Sequence, residues 1–264
     1  MDHTFATIIS GLAASLCWGS GDFSGGLASR RSTSISVIIA TYTIGLILLV
    51  GLAWIWKEQL PSLTDIIWGT LGALAGVTGT MAFYGALAIG RMGVVAPVSA
   101  VMTAGLPVLF STLTQGIPGP LQIGGFVLAL LAIGLISRPE RSTGRPKGIG
   151  LALLAGCGFG CFFILSSRVS PGETFWPLAA GRLASVILML VLALVRRQPV
   201  RPKKEVGFFI LLAGVMDAVG NAFFVLAAHT GRLDVASILS SLYPAATVLL
   251  AACILRERVT RIQS

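Results

Sequence analysis

The stretch that decides the fold occurs twice, as GTMAFYGALAIGRMGVVAPVSAVMTA at residues 79–104 and as GNAFFVLAAHTGRLDVASILSSLYPA at residues 220–245. A shift of 141 positions (220 − 79) aligns the two segments and gives eight identities. The identical pairs are Gly79/Gly220, Phe83/Phe224, Ala86/Ala227, Gly90/Gly231, Arg91/Arg232, Val94/Val235, Ser99/Ser240 and Ala104/Ala245. The same shift pairs the aromatic-glycine dipeptide at 18–19 with that at 159–160. Similarity at one fixed offset predicts an internal duplication.

The composition around this repeat is that of a chain surrounded by lipid. The 264 residues are 55% hydrophobic and only 11% charged, and their mean hydropathy is +0.89. A soluble domain has about 25% charged residues, so this composition excludes a disordered chain, a nucleic-acid module and an ordinary soluble enzyme. The net charge of +9 is typical of a membrane protein with basic cytoplasmic loops.

Long apolar runs between charged clusters predict nine membrane spans. Lipid satisfies no backbone hydrogen bond, and a helix needs about 20 apolar residues to cross, so these runs are expected to be helices. They lie at residues 5–28, 35–56, 66–89, 93–115, 120–137, 148–167, 174–195, 206–228 and 235–255.

The repeat unit contains five spans, and this odd number places the second copy upside down in the membrane. We therefore predict an all-α integral membrane protein of two inverted five-helix repeats, an arrangement typical of transporters. The first repeat, a cytoplasmic linker and the second repeat are expected at residues 1–137, 138–147 and 148–264. Span five should recur at 261–278, whereas the sequence ends at Ser264. The second repeat is therefore expected to lack its last helix, which gives nine transmembrane helices.

Loop charges predict the orientation. On the N-terminal side of these spans the basic residues are only Lys57, Arg168 and Arg232. The opposite side carries Arg30, Arg31, Arg91, Arg138, Arg141, Arg145, Lys147, Arg196, Arg197, Arg201, Lys203, Lys204, Arg256, Arg258 and Arg261. Because basic loops stay in the cytoplasm, we expect the N-terminus outside the cell and the 196–205 loop inside.

Three segments point to a known family, namely WGSGDFSGGLASRR at 18–31, YGALAIGRMGVVAPVSA at 84–100 and LRERVTRIQ at 255–263. The first is similar to the first helix, and the second to the third-to-fourth helix passage, of the EamA-domain transporters in the drug/metabolite transporter superfamily. LRERVTRIQ at 255–263 resembles their Gly-Glu-x-x-Thr-x-x-Gln junction, with Glu257, Thr260 and Gln263 in place but Arg256 instead of Gly. The corresponding first-copy segment, TQGIPGPLQ at 114–122, has no acidic residue.

The resemblance implies ten helices in two five-helix halves, and export or exchange of small solutes across the plasma membrane by a multi-pass protein. The expectation of nine helices departs from this pattern, and either a truncation or a sufficient set of nine would account for it. Relatives are often drawn with cytoplasmic termini, whereas the loop charges here place the N-terminus outside.

Polar residues inside the apolar spans are the candidate substrate-binding residues. A charge in lipid costs about 2.5–3.5 kcal/mol by insertion scales, so such residues are rare and commonly functional. They are Asp217, Arg182, Asn221, Asp22 and Trp18. Arg182 would hold an anionic group, and Asp217 or Asp22 an ammonium group or a coupling proton, which would suit amino acids or related metabolites.

Purely structural roles for these residues, and a function other than transport, stay open at this point. An internal Arg182–Asp217 ion pair could merely join two helices, and Trp18 could be a packing residue. The chain could also be a non-transporting membrane subunit or degenerate helper, such as a lipid-carrier flippase partner. No phosphate loop, metal cluster or nucleophilic triad is seen in the sequence, so we expect no enzyme, no cofactor and no bound metal. The expected partners are a small-molecule solute and the lipid bilayer, with a coupling proton and a homodimer left open and no nucleic acid.

Overall fold

The computed structural model describes residues 3–29, 31–89, 92–136, 148–247 and 250. This part of the chain is helical, with short connections. The helices are α1 His3–Ser29, α2 Ser34–Ile55, α3 Leu63–Ile89, α4 Met92–Gln115, α5 Pro120–Ile136, α6 Ile149–Ser166, α7 Phe175–Val195, α8 Gly207–Thr230 and α9 Leu233–Ser240, with a 3₁₀ turn at Lys204–Val206 before α8.

The first eight helices begin and end within three residues of the predicted spans. The long apolar runs predicted these helix bounds well, because each run is bounded by polar or turn residues. Thr33, for example, is the N-cap of α2 and its hydroxyl accepts a hydrogen bond from the Ser36 backbone N–H. Six of the described helices contain a segment that is long and apolar enough to cross a membrane, namely α2, α3, α4, α6, α7 and α8.

The predicted ninth span, 235–255, is interrupted. Helix α9 ends at Ser240, two turn residues follow, and helix resumes at Tyr243. Pro244 explains the break, because proline has no backbone N–H to bond to the turn before it. The Ala245 N–H instead bonds to the Leu242 carbonyl, three residues back, at 2.9 Å.

Helices of the first half pack mainly on helices of the second half. The most extensive pairings are α1 with α8 and α3 with α6, followed by α4 with α6 and α2 with α7. Neighbours within one half, such as α1 with α2 or α3 with α4, touch little. The interior of the molecule is therefore an interface between residues 3–136 and residues 148–250.

Glycines set the closeness of these contacts. A Cβ atom on Gly158 of α6 would lie only 2.7 Å from the Ala75 carbonyl oxygen and from the Gly79 Cα of α3. Small residues at such crossings let two helix backbones meet, which is the main source of packing energy between helices in lipid.

Several predicted features lie outside the described residues. They are the 138–147 linker, Arg91, the end of the ninth span from residue 251, and the junction residues Arg256, Glu257, Thr260 and Gln263.

Gly158→Ala is expected to destabilise the protein, because its methyl group must displace the backbone of α3. The effect should be about 1–3 kcal/mol, as for overpacking in a core. Thermal unfolding in detergent, followed by loss of the monodisperse species, measures the change. Gly51→Ala in α2 is the matched control, since a Cβ there meets nothing within 4 Å. Equal midpoints for the two variants would contradict the close α3–α6 contact.

Candidate functional site

A cavity lies between the two halves at about the middle of the helices. It encloses about 790 Å³ of empty space, part of which is continuous with the surroundings. Eight elements contribute side chains to it. The lining residues are Trp18, Asp22, Tyr42, Ala73, Gly76, Thr80, Phe83, Thr103, Phe159, Phe162, Phe163, Leu178, Arg182, Asp217, Asn221 and Tyr243.

Arg182 of α7 and Asp217 of α8 form an ion pair on the cavity wall. The Arg182 Nη2 atom donates to Oδ2 of Asp217. The guanidinium also lies over the ring of Tyr42 from α2, with its central carbon 4.1 Å from the ring centroid. The Arg182 side chain is 8% exposed, whereas that of Asp217 is 28% exposed. The arginine is therefore paired with one carboxylate and covered on one face by an aromatic ring, and the aspartate is the more accessible partner.

Asn221 lies one turn after Asp217 on α8. Its amide Nδ2 donates to the backbone carbonyl of Asp217 at 2.5 Å. The residue is only 4% exposed. Across the cavity, the Tyr42 hydroxyl and Thr80 of α3 lie within 3.5 Å of each other. Hydrogen-bonding groups from α2, α3 and α8 thus face the same space.

Asp22 and Trp18 come from one face of α1, four residues apart. The Asp22 side chain is exposed to the cavity. Within the described part of the chain, no hydrogen bond or ion pair reaches its carboxylate. Asp22 is therefore a carboxyl group presented to the cavity without a protein counter-charge.

Trp18 belongs to an aromatic cluster with Phe162 and Phe163 of α6 and Phe224 of α8. Its ring stacks on Phe163 with centroids 5.5 Å apart, and Phe163 stacks on Phe224 at 4.2 Å. Phe162 meets the Trp18 ring edge-on at 6.2 Å. On each of the three helices these residues lie nearer to the face where α1 begins than Asp22 and Asp217 do. The cluster is therefore a thick apolar layer between the charged groups and that face, which we call the N-terminal face.

The loops of the N-terminal face are tied together across the two halves. Glu58, in the α2–α3 loop, receives hydrogen bonds from the backbone N–H groups of Thr174, Phe175 and Trp176 at the start of α7. The Trp176 indole N–H also donates to the Glu58 carbonyl at 3.2 Å. A carboxylate from one half thus caps the N-terminus of a helix in the other, where the helix dipole favours a negative charge.

A second carboxylate from the same loop region makes a similar link. Asp65 pairs with Ser62 in a capping arrangement at the start of α3 and accepts the Ser170 N–H at 2.7 Å. His229, at the end of α8, bonds through Nε2 to the Val169 carbonyl at 2.8 Å. His229 is therefore part of this face's hydrogen bonding rather than an incidental loop residue.

A third link joins the α4–α5 and α8–α9 connections. Arg232 binds the fully buried carboxylate of Asp234 at 2.7 Å. It also donates to the carbonyls of Gln115 at 3.2 Å and Gly116 at 2.8 Å. The carboxylate hydrogen bond raises the pKa of Arg232, so this guanidinium keeps its charge at any working pH.

All five residues singled out in the sequence line this one cavity. The Arg182–Asp217 ion pair and the packing of Trp18, which the sequence left open as alternatives, are both present. Tyr42, Thr80, Thr103 and Tyr243 also line the cavity but were not among the predicted site residues, because a single hydroxyl in an apolar helix is commonly a packing residue. The shift of 141 would have identified Phe159, the counterpart of Trp18. Among the described residues, no group of three or more His, Cys, Asp or Glu side chains could hold a metal ion.

Removing either partner of the Arg182–Asp217 pair should destabilise the protein by about 3 kcal/mol, because the other is left with an unpaired charge between helices. The double variant Arg182→Gln/Asp217→Asn, which leaves no charge, should recover most of that loss. Thermal unfolding of the single and double variants in detergent gives the coupling energy. Losses that simply add would show that the pair does not stabilise the α7–α8 contact.

Glu173 should make stability depend on pH. Burial raises the pKa of this carboxyl above its ordinary 4.5, and the neighbouring Glu58 and Asp65 raise it further. Its Oε2 atom is buried without a partner in the described chain. The folded state thus favours the protonated form, so the contribution of Glu173 to stability is most favourable below about pH 4.5 and becomes less favourable as the pH rises through the folded pKa.

Glu173→Gln should therefore raise the unfolding midpoint at pH 8 and leave it nearly unchanged at pH 4. Glu205→Gln, at an exposed carboxylate beyond the 196–203 loop, is the control. An equal gain at both pH values would mean that ionisation of Glu173 is not the cause.

The comparisons with known proteins agree with this geometry. A crystal structure of another protein superposes with a TM-score of 0.78 at 18% identity, over 97% of this chain and 91% of the other, which shows a shared fold. No curated protein sequence matches significantly. The sequence profile of the EamA-like transporter family matches residues 5–138 and again residues 146–264. The chain therefore belongs to the EamA-like transporter family.

Proposed function

We propose that this protein is a secondary transporter that exports or exchanges small organic solutes across the plasma membrane by alternating access, and that it is not an enzyme. One observation carries the proposal. A cavity lies at mid-depth between the two segments that match the family, and ionisable side chains line it. Charges at that depth are expensive in a membrane protein, and they mark solute or ion pathways.

The packing supports an inverted relation between the halves. The shift of 141 turns α1 into α6 and α3 into α8, so it exchanges the two most extensive pairings, α1–α8 and α3–α6. The shift also relates α2 to α7, and these two helices pack against each other. Such a contact between equivalent helices is expected where a two-fold axis passes between them. Residues that the shift relates also meet in the same way. A Cβ on Gly220 would approach Trp18 at 2.7 Å, and one on Gly79 would approach Phe159 at 3.0 Å.

Two related halves with one cavity between them can expose it to either side by rocking. The N-terminal face supports the closed end of such a cycle, because Glu58, Asp65 and Arg232 link loops of opposite halves there. On the opposite face, within the described residues, one side-chain hydrogen bond joins the halves, from the Lys203 N–H to Ser32 at 3.2 Å. We infer that this conformation is closed toward the N-terminal face, which the loop charges place outside the cell.

Counterflow in proteoliposomes tests transport. The full chain is reconstituted and loaded with one unlabelled solute, and uptake of the same labelled solute is measured. The panel contains amines, amino acids and carboxylic acids. Saturable counterflow of at least one solute is expected. A correctly inserted, monodisperse protein that moves none of them would favour the non-transporting helper instead.

Asp217→Asn is expected to abolish counterflow while leaving membrane insertion intact, because the more exposed member of the ion pair is lost from the cavity. The double variant Arg182→Gln/Asp217→Asn separates this effect from misfolding, since it should recover stability without recovering flux. Wild-type rates in Asp217→Asn would remove this aspartate from the mechanism.

A further inference from the structure

The charges in the cavity are unbalanced. Its described lining contains two carboxylates, Asp22 and Asp217, and one guanidinium, Arg182. The guanidinium already binds Asp217, and one of its faces is covered by the Tyr42 ring at 4.1 Å. Since its side chain is only 8% exposed, little of it is left for a ligand anion.

Asp22 has the opposite character. Its side chain is exposed to the cavity, and no ion pair or hydrogen bond from a described residue reaches it. Asp217 lines the same cavity. Two carboxylates that face one space in a medium of low dielectric repel each other, and a cation between them would relieve this repulsion.

The surroundings of Asp22 also favour a cation. Trp18 lies one helical turn away on the same face of α1, and Phe83, Phe159 and Phe162 line the same cavity. Aromatic faces attract cations and pack against apolar bodies.

We propose that the cavity selects organic cations, namely protonated amines on an aromatic or apolar body, with Asp22 as the carboxylate that binds the ammonium group. This inference rests on the proposed function and narrows its substrate class. It replaces the amino-acid expectation, in which Arg182 would hold a substrate carboxylate, because that arginine is occupied by Asp217. The described lining offers no cationic side chain, apart from the paired Arg182, to bind a substrate carboxylate. An amino acid would bring such a carboxylate together with its ammonium group, and a carboxylic acid would bring the carboxylate alone.

Three probes with one aromatic body test the inference: 2-phenylethylamine, phenylalanine and 3-phenylpropanoate. Binding to the purified full chain in nanodiscs is measured by titration calorimetry at neutral pH, so membrane permeation of the amine does not interfere. The amine should bind about tenfold or more tightly than phenylalanine, and 3-phenylpropanoate should bind most weakly.

Asp22→Asn should weaken binding of the amine by about tenfold or more, since it removes a charge-assisted hydrogen bond. Asp22→Glu keeps the carboxylate and should retain binding within a few-fold, and Glu205→Gln should bind as the wild type does. The thermal midpoint of each variant shows that it is folded.

The outcomes separate this inference from the proposed function. Phenylalanine or 3-phenylpropanoate binding as tightly as the amine would overturn the cation selectivity and leave transport standing. Unchanged amine binding by folded Asp22→Asn would overturn the role of Asp22. Binding of none of the three by the wild-type chain would overturn the inference, and counterflow would then decide separately whether the chain transports any solute. Selective amine binding without any counterflow would instead count against transport.

Discussion

The helices of this chain face lipid, so the polar side chains in its interior need partners within the protein. The Arg182–Asp217 pair is the central solution, because it places a cation and an anion from adjacent helices against each other at mid-depth. Tyr42 covers the guanidinium from a helix of the other half, so the pair also contributes to the interface between halves. Thr80 and Asn221 are further polar groups that line the same cavity.

Periodic and compositional features of the sequence were enough to predict most helices, because a span in lipid needs only length and apolarity. The helix of the ninth span is interrupted just before Pro244, although the hydropathy of this run is continuous. The count of nine membrane spans and the inversion stay predictions, since six described helices meet the length and apolarity needed to cross.

The candidate site shows a similar division. Charge inside apolar helices was sufficient to identify Asp22, Arg182 and Asp217, because few other forces keep such residues there. It could not predict the Tyr42 ring on Arg182 or the Glu58 cap on α7, since both contacts join positions distant in sequence. Contacts of this kind depend on how the helices assemble, and a single sequence carries no direct record of that.

The shift of 141 pairs positions that line the cavity, but the side chains at the paired positions differ in chemistry. It pairs Asp217 with Gly76, and Asn221 with Thr80, and all four line the cavity. It also pairs Asp22 with Phe163, which packs on Trp18 instead of presenting a charge. The halves therefore supply matched positions around a common space but different functional groups at them. An asymmetric lining of this kind can distinguish the two ends of a bound solute, which an interior with identical halves could not do. The acidic residues that tie the N-terminal face together, Glu58 in the α2–α3 loop, Asp65 at the start of α3 and Asp234 at the start of α9, do not line the cavity. The links between the halves at this face and the groups that face the cavity are therefore made by different residues.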